Sequence, residues 1–126
     1  MDYKMMAELA SVLVETAKKF KDLGIPEKPY NLKFQINSTK YAGQVCWEYL
    51  GAVPEISFNL ALLSKATAAD RRQTAIHELC HVYAGTCQGH GPVWKALMRA
   101  VDTQPEIYHS MSRLSRQELR DYYRRS

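Results

Sequence analysis

The pattern His-Glu-x-x-His occupies residues 77 to 81 and holds the side chains with the clearest chemical capability in this chain. On an α-helix, residues four apart lie about one turn from each other on one face, so His77 and His81 can direct two imidazoles at one metal ion. Zinc in such a site lowers the pKa of a coordinated water from about 15.7 toward about 7. Glu78 lies beside the pair and can take that proton and pass it to a leaving amine. The motif therefore predicts zinc-dependent hydrolysis.

The residues around the motif predict the helix that must position it. Thr67 and Asp70 have the spacing of a capping box at its start, and Gly85 is placed to end it in a left-handed cap. A stripe of apolar residues at helical spacing leaves both histidines outside it. The stripe consists of Ile76, Leu79, Cys80 and Tyr83. We expect the helix to bury this stripe in the core and to present its metal-binding side to a cleft.

The third ligand is less directly indicated, because a catalytic zinc usually has three protein ligands and one open position. His90 is the first choice, since it lies on a short glycine-rich loop that returns to the motif. Cys87 is second: it stands six residues after His81, where a metzincin has histidine, but a thiolate would weaken the Lewis acidity of zinc. Glu106 is third, since it follows a proline that is unfavourable inside a helix. His109 is last, because it lies farther along the chain.

The remaining pattern predicts an α+β fold. Helices are expected from Tyr3 to Leu23, in a short turn from Asn59 to Leu63, and again after Pro92, where Trp94, Leu97, Met98 and Val101 form an apolar stripe. Three strands are indicated by alternating apolar residues: Leu32, Phe34 and Ile36; Val45, Trp47 and Tyr49; Ile56 and Phe58. Short connections favour a small antiparallel sheet with one face packed against the helices, and the motif on a central helix.

The chain length, the number of cysteines and the distribution of apolar residues restrict the class of protein. A length of 126 residues predicts one domain, residues 1–126. Three cysteines, an odd number without paired Cys-x-x-Cys spacing, indicate neither a disulfide framework nor a structural zinc site. The N-terminus lacks the apolar run of a signal peptide, and no stretch approaches the roughly 20 apolar residues of a membrane span. We therefore expect a cytoplasmic monomer that has no membrane partner.

Basic residues are concentrated at the end of the chain. The formal net charge is +4, and a basic helical tail is expected from about residue 112. Arg113, Arg116 and Arg120 would lie on one face of that helix. Such a face is either a solvated surface or a contact for DNA phosphates, in which case the protein would be associated with the nucleoid.

Two segments carry a resemblance to a known family. The motif, together with the run from Gly89 to Met98 (GHGPVWKALM), resembles the SprT-like metallopeptidase domain, which is shared with the Spartan proteases of DNA–protein crosslinks. The segment from Ala42 to Leu63 is similar to the strand region of that family, so the resemblance spans roughly residues 30 to 110. It implies a zincin-like α+β fold, one zinc ion per chain held by His77, His81 and His90, and Glu78 as the catalytic base.

These observations together favour a small zinc-dependent endopeptidase that acts on a protein or peptide substrate. The substrate is expected to bind extended along a sheet edge near the cleft, and Tyr41, Tyr83 and Tyr108 are candidates to assist the oxyanion. One alternative is a non-catalytic binding protein braced by zinc, although a closed metal site needs no base such as Glu78. Another is a regulatory metallopeptidase of the repressor-cleaving type, which normally has an acidic third ligand.

Overall fold

The computed structural model describes residues 2–35, 41–85 and 89–101. In chain order, the elements are α1 (Tyr3–Asp22), β1 (Asn31–Gln35), β2 (Gly43–Cys46), β3 (Glu55–Asn59), α2 (Leu60–Leu63), α3 (Ala68–Ala84) and α4 (Pro92–Val101). A small sheet combined with helices confirms the predicted α+β class. The predicted boundaries of α1 and α2 are also close to those observed, and the Asn59 side chain caps α2 by accepting a hydrogen bond from the Leu62 amide at 3.2 Å.

The sheet is mixed rather than wholly antiparallel. Its strand order is β1-β3-β2; β2 pairs antiparallel with β3 as predicted, but β1 pairs parallel with β3. The prediction of antiparallel pairing throughout is therefore wrong for the β1–β3 pair. The chain reverses direction between β1 and β2 and again between β2 and β3, so β1 and β3 run the same way. Because β3 inserts between the other two strands, it meets one antiparallel and one parallel neighbour.

The second strand is shorter than predicted. It ends at Cys46, so Trp47 and Tyr49 belong to the connection to β3, and the prediction that they continue the strand is wrong. The Tyr49 side chain is 68% exposed, which removes the cross-strand packing that would favour an extended pairing there. The third strand contains Ile56 and Phe58, both fully buried, as predicted. Ile36, predicted to end the first strand, lies outside the described residues.

Helix α3 is the element around which the described residues pack. It contacts α1 on one side, α4 on another and β2 on a third. The four apolar residues of its predicted stripe are all buried: Ile76, Leu79, Cys80 and Tyr83. The Tyr83 ring lies against Phe20 of α1, with ring centroids 4.5 Å apart. Burial on three sides fixes the axis and rotation of α3, and with them the direction of each side chain of the motif.

An ion pair joins α1 to the start of α3. The Arg71 guanidinium donates to both carboxylate oxygens of Glu8, at 2.9 and 3.2 Å, and also to the Ala66 carbonyl at 2.8 Å. A two-pronged contact of this kind restricts orientation as well as distance. It therefore fixes the N-terminal end of α3 against α1. Among the described residues, no helix has the length and apolar character that crossing a membrane requires.

Candidate metal centre

Helix α3 carries the whole His-Glu-x-x-His motif in continuous helical structure. Its start is capped as predicted, since the Thr67 hydroxyl oxygen accepts a hydrogen bond from the Asp70 amide at 3.1 Å. It ends at Gly85, whose φ of 93° is positive as predicted, although its ψ of 172° lies outside the left-handed helical region. The Gly85 amide closes the last turn by donating to the His81 carbonyl at 3.1 Å. The motif therefore lies within a helix whose N-terminal and C-terminal ends are both capped by hydrogen bonds.

Three histidine side chains converge on one point. The Nε2 atoms of His77 and His81 are 3.2 Å apart, those of His81 and His90 are 3.0 Å apart, and those of His90 and His77 are 3.1 Å apart. Zinc–nitrogen distances of about 2.0–2.1 Å with tetrahedral angles give nitrogens about 3.3 Å apart. The observed triangle therefore matches the spacing that three imidazole ligands of one ion require. The three residues form a group able to hold a metal ion.

The protonation state of the three imidazoles also suits a metal. Burial, followed by the charges of His81 and His90, lowers the pKa of His77 well below its usual value. Burial and the neighbouring His90 lower the pKa of His81 to about 3, and burial and Lys95 lower that of His90 to about 4. All three rings are consequently neutral at pH 7 and offer lone pairs. Neutral imidazole is the form that binds metals.

The loop before α4 positions His90. Gly89 has a φ of 53°, a left-handed conformation that glycine adopts without strain. A hydrogen bond between the His81 ring and the Gly89 backbone, which acts to raise the pKa of His81 and so has the ring as its donor, connects this loop directly to the motif. Pro92 then begins α4, the first helical position predicted for it. Together these contacts return the chain so that His90 faces the pair on α3.

Glu78 occupies a different face of α3. Its side chain is only 3% exposed, and its Oε2 atom is buried without a hydrogen-bond partner among the described residues. Burial raises the pKa of its carboxyl to about 8, because the charged form loses its hydration. A buried carboxyl with a pKa near neutrality is suited to proton transfer. A buried carboxylate oxygen without a partner among the described residues, on the residue that follows His77, fits a site that holds a cation and water.

Trp94 contributes to the site in a way that the sequence interpretation missed. It was predicted as a core residue of α4, and it is indeed 3% exposed. Its ring centroid, however, lies 4.9, 5.5 and 4.6 Å from those of His77, His81 and His90. Its indole N–H also donates to the His77 carbonyl at 3.2 Å. The signal available in the sequence was its position four residues after His90, in the first turn of the helix that follows the proposed third ligand.

The other predicted site residues have different outcomes. The Tyr83 ring packs against Phe20 in the core, on the side of α3 opposite His81, which is unfavourable for the predicted role at the oxyanion. The Tyr41 hydroxyl oxygen is buried. Tyr41 stands two residues before Gly43, at which an added Cβ would lie 3.0 Å from the Glu78 carboxylate. The remaining candidates lie outside the described residues. These are Cys87, Glu106, Tyr108, His109 and the tail arginines Arg113, Arg116 and Arg120.

Comparison with known proteins agrees with this geometry. An α+β fold, a helix that carries the motif and a third converging histidine define a metallopeptidase-like domain. The model of the SprT-like family matches residues 10–114, which is most of the chain, and the protein belongs to the SprT-like family. No curated protein and no solved structure matches it. The roles of the three histidines as ligands and of Glu78 as base stay predictions.

Proposed function

We propose that the protein is a zinc-dependent endopeptidase whose metal is held by His77, His81 and His90. The observation that carries this proposal is the triangle of three Nε2 atoms, with sides of 3.0 to 3.2 Å. The third histidine favours it over the repressor-cleaving alternative, which normally takes an acidic residue at that position. The buried carboxyl of Glu78 favours it over a non-catalytic zinc-braced protein, since a closed structural site needs no adjacent base.

Each protein group has a defined task in this proposal. Zinc, when bound, supplies a hydroxide at neutral pH and polarises the carbonyl of the scissile bond. The neutral rings of His77, His81 and His90 hold the ion, and Trp94 restricts their orientation through its ring contacts and its hydrogen bond to His77. Glu78 accepts a proton from the attacking water and returns it to the leaving amine. Its burial excludes solvent that would compete for that proton.

The substrate class is an extended protein segment. The three-stranded sheet has β2 at one edge among the described residues, and β2 packs against the motif helix. An extended peptide can pair with such an edge through main-chain hydrogen bonds, which requires little of its sequence. Substrates that are locally unfolded are therefore cleaved in preference to compact ones. As a further part of the proposal, the enzyme acts on DNA-bound or DNA-crosslinked proteins, supported by the net charge of +4 and the resemblance to Spartan-type proteases.

The test is cleavage of an unfolded protein such as reduced casein, with the metal removed and restored. The purified protein is expected to cleave it, to lose activity when a chelator removes the metal, and to regain activity on addition of one equivalent of zinc. Magnesium, which prefers oxygen ligands, serves as the control and should not restore activity. Cleavage that is unaffected by complete metal removal would contradict the proposal. Absence of cleavage in the zinc-loaded protein, with unfolded and DNA-bound substrates alike, would favour the zinc-braced binding protein.

A further inference from the structure

Gly43 lies where β2 meets the motif helix. A Cβ atom built on this residue would lie 3.0 Å from Glu78 Oε2, 3.1 Å from Glu78 Cγ and 3.2 Å from Thr74 Cγ2. Separations this short require the neighbouring atoms to move by a few tenths of an ångström. The absence of a side chain at Gly43 therefore provides the space in which the Glu78 side chain lies.

Backbone conformation does not explain this glycine. Gly24, Gly51, Gly85 and Gly89 have positive φ angles, and a Cβ on any of them would meet nothing within 4 Å in the described structure. Gly43 differs from these four glycines. Its φ lies outside the positive range that is unfavourable for residues with a side chain, but an added Cβ would be crowded by its neighbours. It pairs with Phe58 in regular antiparallel register. Its requirement for glycine is thus set by the side chains on α3.

The neighbours of Gly43 have little freedom to yield. The Thr74 hydroxyl donates to the Asp70 carbonyl at 2.9 Å, which fixes the rotamer that directs its methyl group toward Gly43. Glu78 is buried, and its Oε2 atom has no hydrogen-bond partner among the described residues that would hold it in place. The space left by the missing side chain of Gly43 therefore determines where that oxygen lies. A methyl group at position 43 requires the Glu78 side chain or the Thr74 methyl group to move by a few tenths of an ångström.

We propose that Gly43 is a positioning residue that sets the location of the Glu78 carboxylate for proton transfer. This inference rests on the proposed function, in which Glu78 is the base. A base must lie within hydrogen-bond reach of the proton that it takes, and a displacement of about 1 Å can reduce the rate on the order of a hundredfold. A shift of a few tenths of an ångström, which an added methyl group requires here, is expected to have a smaller but measurable effect. The three atoms nearest a Cβ at Gly43 belong to Glu78 and Thr74, and none of them belongs to a histidine of the cluster. Metal binding and catalysis are thus expected to separate in a variant at this position.

The experiment compares Gly43→Ala with the wild type and with Gly51→Ala. Gly43→Ala is expected to lower kcat by roughly threefold to tenfold, with KM and zinc content close to wild type. A crystal structure should show the Glu78 carboxylate displaced. Gly51→Ala adds the same methyl group in open space at a φ of 90°, so it should lower the melting temperature through backbone strain while leaving kcat unchanged. This control separates loss of stability from displacement of the base.

A second substitution tests the steric cause. Thr74→Ser removes the methyl group that faces Gly43 but retains the hydroxyl that bonds to Asp70. Combined with Gly43→Ala, it is expected to restore a measurable part of kcat and to return the carboxylate toward its wild-type position. Thr74→Ser alone should have kcat near wild type. Failure of the serine to raise kcat in the double variant would overturn a steric mechanism.

The result for Gly43 can be distinguished from the result for the peptidase proposal. A wild-type kcat in Gly43→Ala, or an unmoved Glu78 carboxylate in its structure, would overturn the role of Gly43 while leaving the peptidase proposal intact. If the wild type cleaves nothing, the proposed function fails. The crystal structures then still decide whether residue 43 sets the position of Glu78. A loss of zinc in Gly43→Ala would also contradict the proposal, because it would show that the substitution disturbs the metal site as a whole.

Discussion

Three neutral imidazole rings whose Nε2 atoms converge cannot all satisfy one another by hydrogen bonds, because each nitrogen can either donate or accept but not both. In this protein His77, His81 and His90 bring three Nε2 atoms within 3.2 Å, and burial keeps all three rings uncharged at neutral pH. Protonation would place positive charges side by side in a poorly solvated site. A single divalent cation resolves this arrangement by accepting all three lone pairs.

At this scale the identity of the third ligand is testable. His90→Ala removes one nitrogen of the triangle, so we expect zinc affinity to fall by more than about a hundredfold, beyond the effect of losing a supporting residue. Cys87→Ser should retain one zinc ion per chain, because the three histidines already provide the usual protein ligands of a catalytic site. Elemental analysis and chelator competition measure both. Zinc loss in Cys87→Ser with normal content in His90→Ala would transfer the third ligand to Cys87.

Glu78 is expected to make the stability of the metal-free protein depend on pH. Its carboxyl has a pKa of about 8 in the folded protein, against 4.5 for an ordinary glutamate. Between these values the folded state holds a proton that the unfolded state releases, so the free energy of unfolding falls as pH rises from 4.5 to 8. Glutamine cannot ionise, so the Glu78→Gln variant lacks this pH-dependent contribution to the free energy of unfolding. Relative to wild type, the variant should gain a few kcal/mol of stability between pH 4 and pH 8, because a difference of one pKa unit corresponds to about 1.4 kcal/mol.

The comparison uses chelator-treated protein and urea unfolding at several pH values. The histidines contribute an opposite trend, since their lowered pKa values give stability that is lost as pH falls below 6.5. That trend is common to wild type and Glu78→Gln and cancels in the difference. The advantage of the variant should therefore shrink toward zero near pH 4. A difference that is the same at all pH values would show that burial does not perturb Glu78.

At the scale of elements, α3 and α4 form the two walls of the metal centre. Helix α3 supplies two histidines, and the turn before α4 supplies the third. Trp94 of α4 then packs against all three rings and donates to the His77 carbonyl. A buried indole in this position resists rotation of each imidazole. The geometry of the site thus depends on how closely the two helices are held together.

Trp94 is accordingly expected to affect metal affinity without being a ligand. Trp94→Phe keeps an aromatic ring but loses the hydrogen bond to His77, and zinc affinity should fall by about tenfold. Trp94→Ala also leaves a cavity and should destabilise the protein by about 3–5 kcal/mol. Val93→Ala provides a control on the same helix, since Val93 is 46% exposed. Competition with a zinc chelator measures affinity; equal affinity in Trp94→Phe and wild type would contradict a supporting role.

The sequence predicted those elements whose pattern is local. The period of the apolar residues and the Thr67 cap located α3, and Pro92 located the start of α4, because both signals depend on neighbours within a few residues. Strand order was not predictable in the same way. Nothing in the alternation of β1 specifies whether β2 or β3 will lie beside it, since pairing depends on contacts between distant segments. The parallel pairing of β1 with β3 results from such contacts between distant segments.

The site shows the same division between local and distant information. The spacing of His77 and His81 is a helical period, and it directly predicted a shared face. The glycine at position 43 and the contacts of Trp94 became visible only once β2 and α4 were packed against α3. Neither residue has a chemical group that would mark it as part of a metal site. Their roles depend on contacts between residues that are distant in the chain, and such contacts leave no periodic pattern in a single sequence.

At the scale of the whole molecule, the net charge of +4 predicts a contribution from DNA. Replacing Arg113, Arg116 and Arg120 with glutamine should weaken DNA binding and make its dependence on salt shallower, because fewer counterions are released. Cleavage of a DNA-bound protein should lose its stimulation by DNA, while cleavage of a free peptide serves as the unchanged control. Affinity measured at two salt concentrations tests this. Wild-type binding that does not respond to salt would remove DNA from the proposed function.

The central claim is that Glu78 transfers the proton at a metal centre held by three histidines. Glu78→Gln tests it most directly, because glutamine has the same size and can form hydrogen bonds but cannot accept a proton at neutral pH. Cleavage of an unfolded protein, measured with zinc content on the same samples, should show activity reduced by on the order of a hundredfold or more while zinc stays at one per chain. Equal activity in the variant and the wild type, at equal zinc content, would contradict the claim.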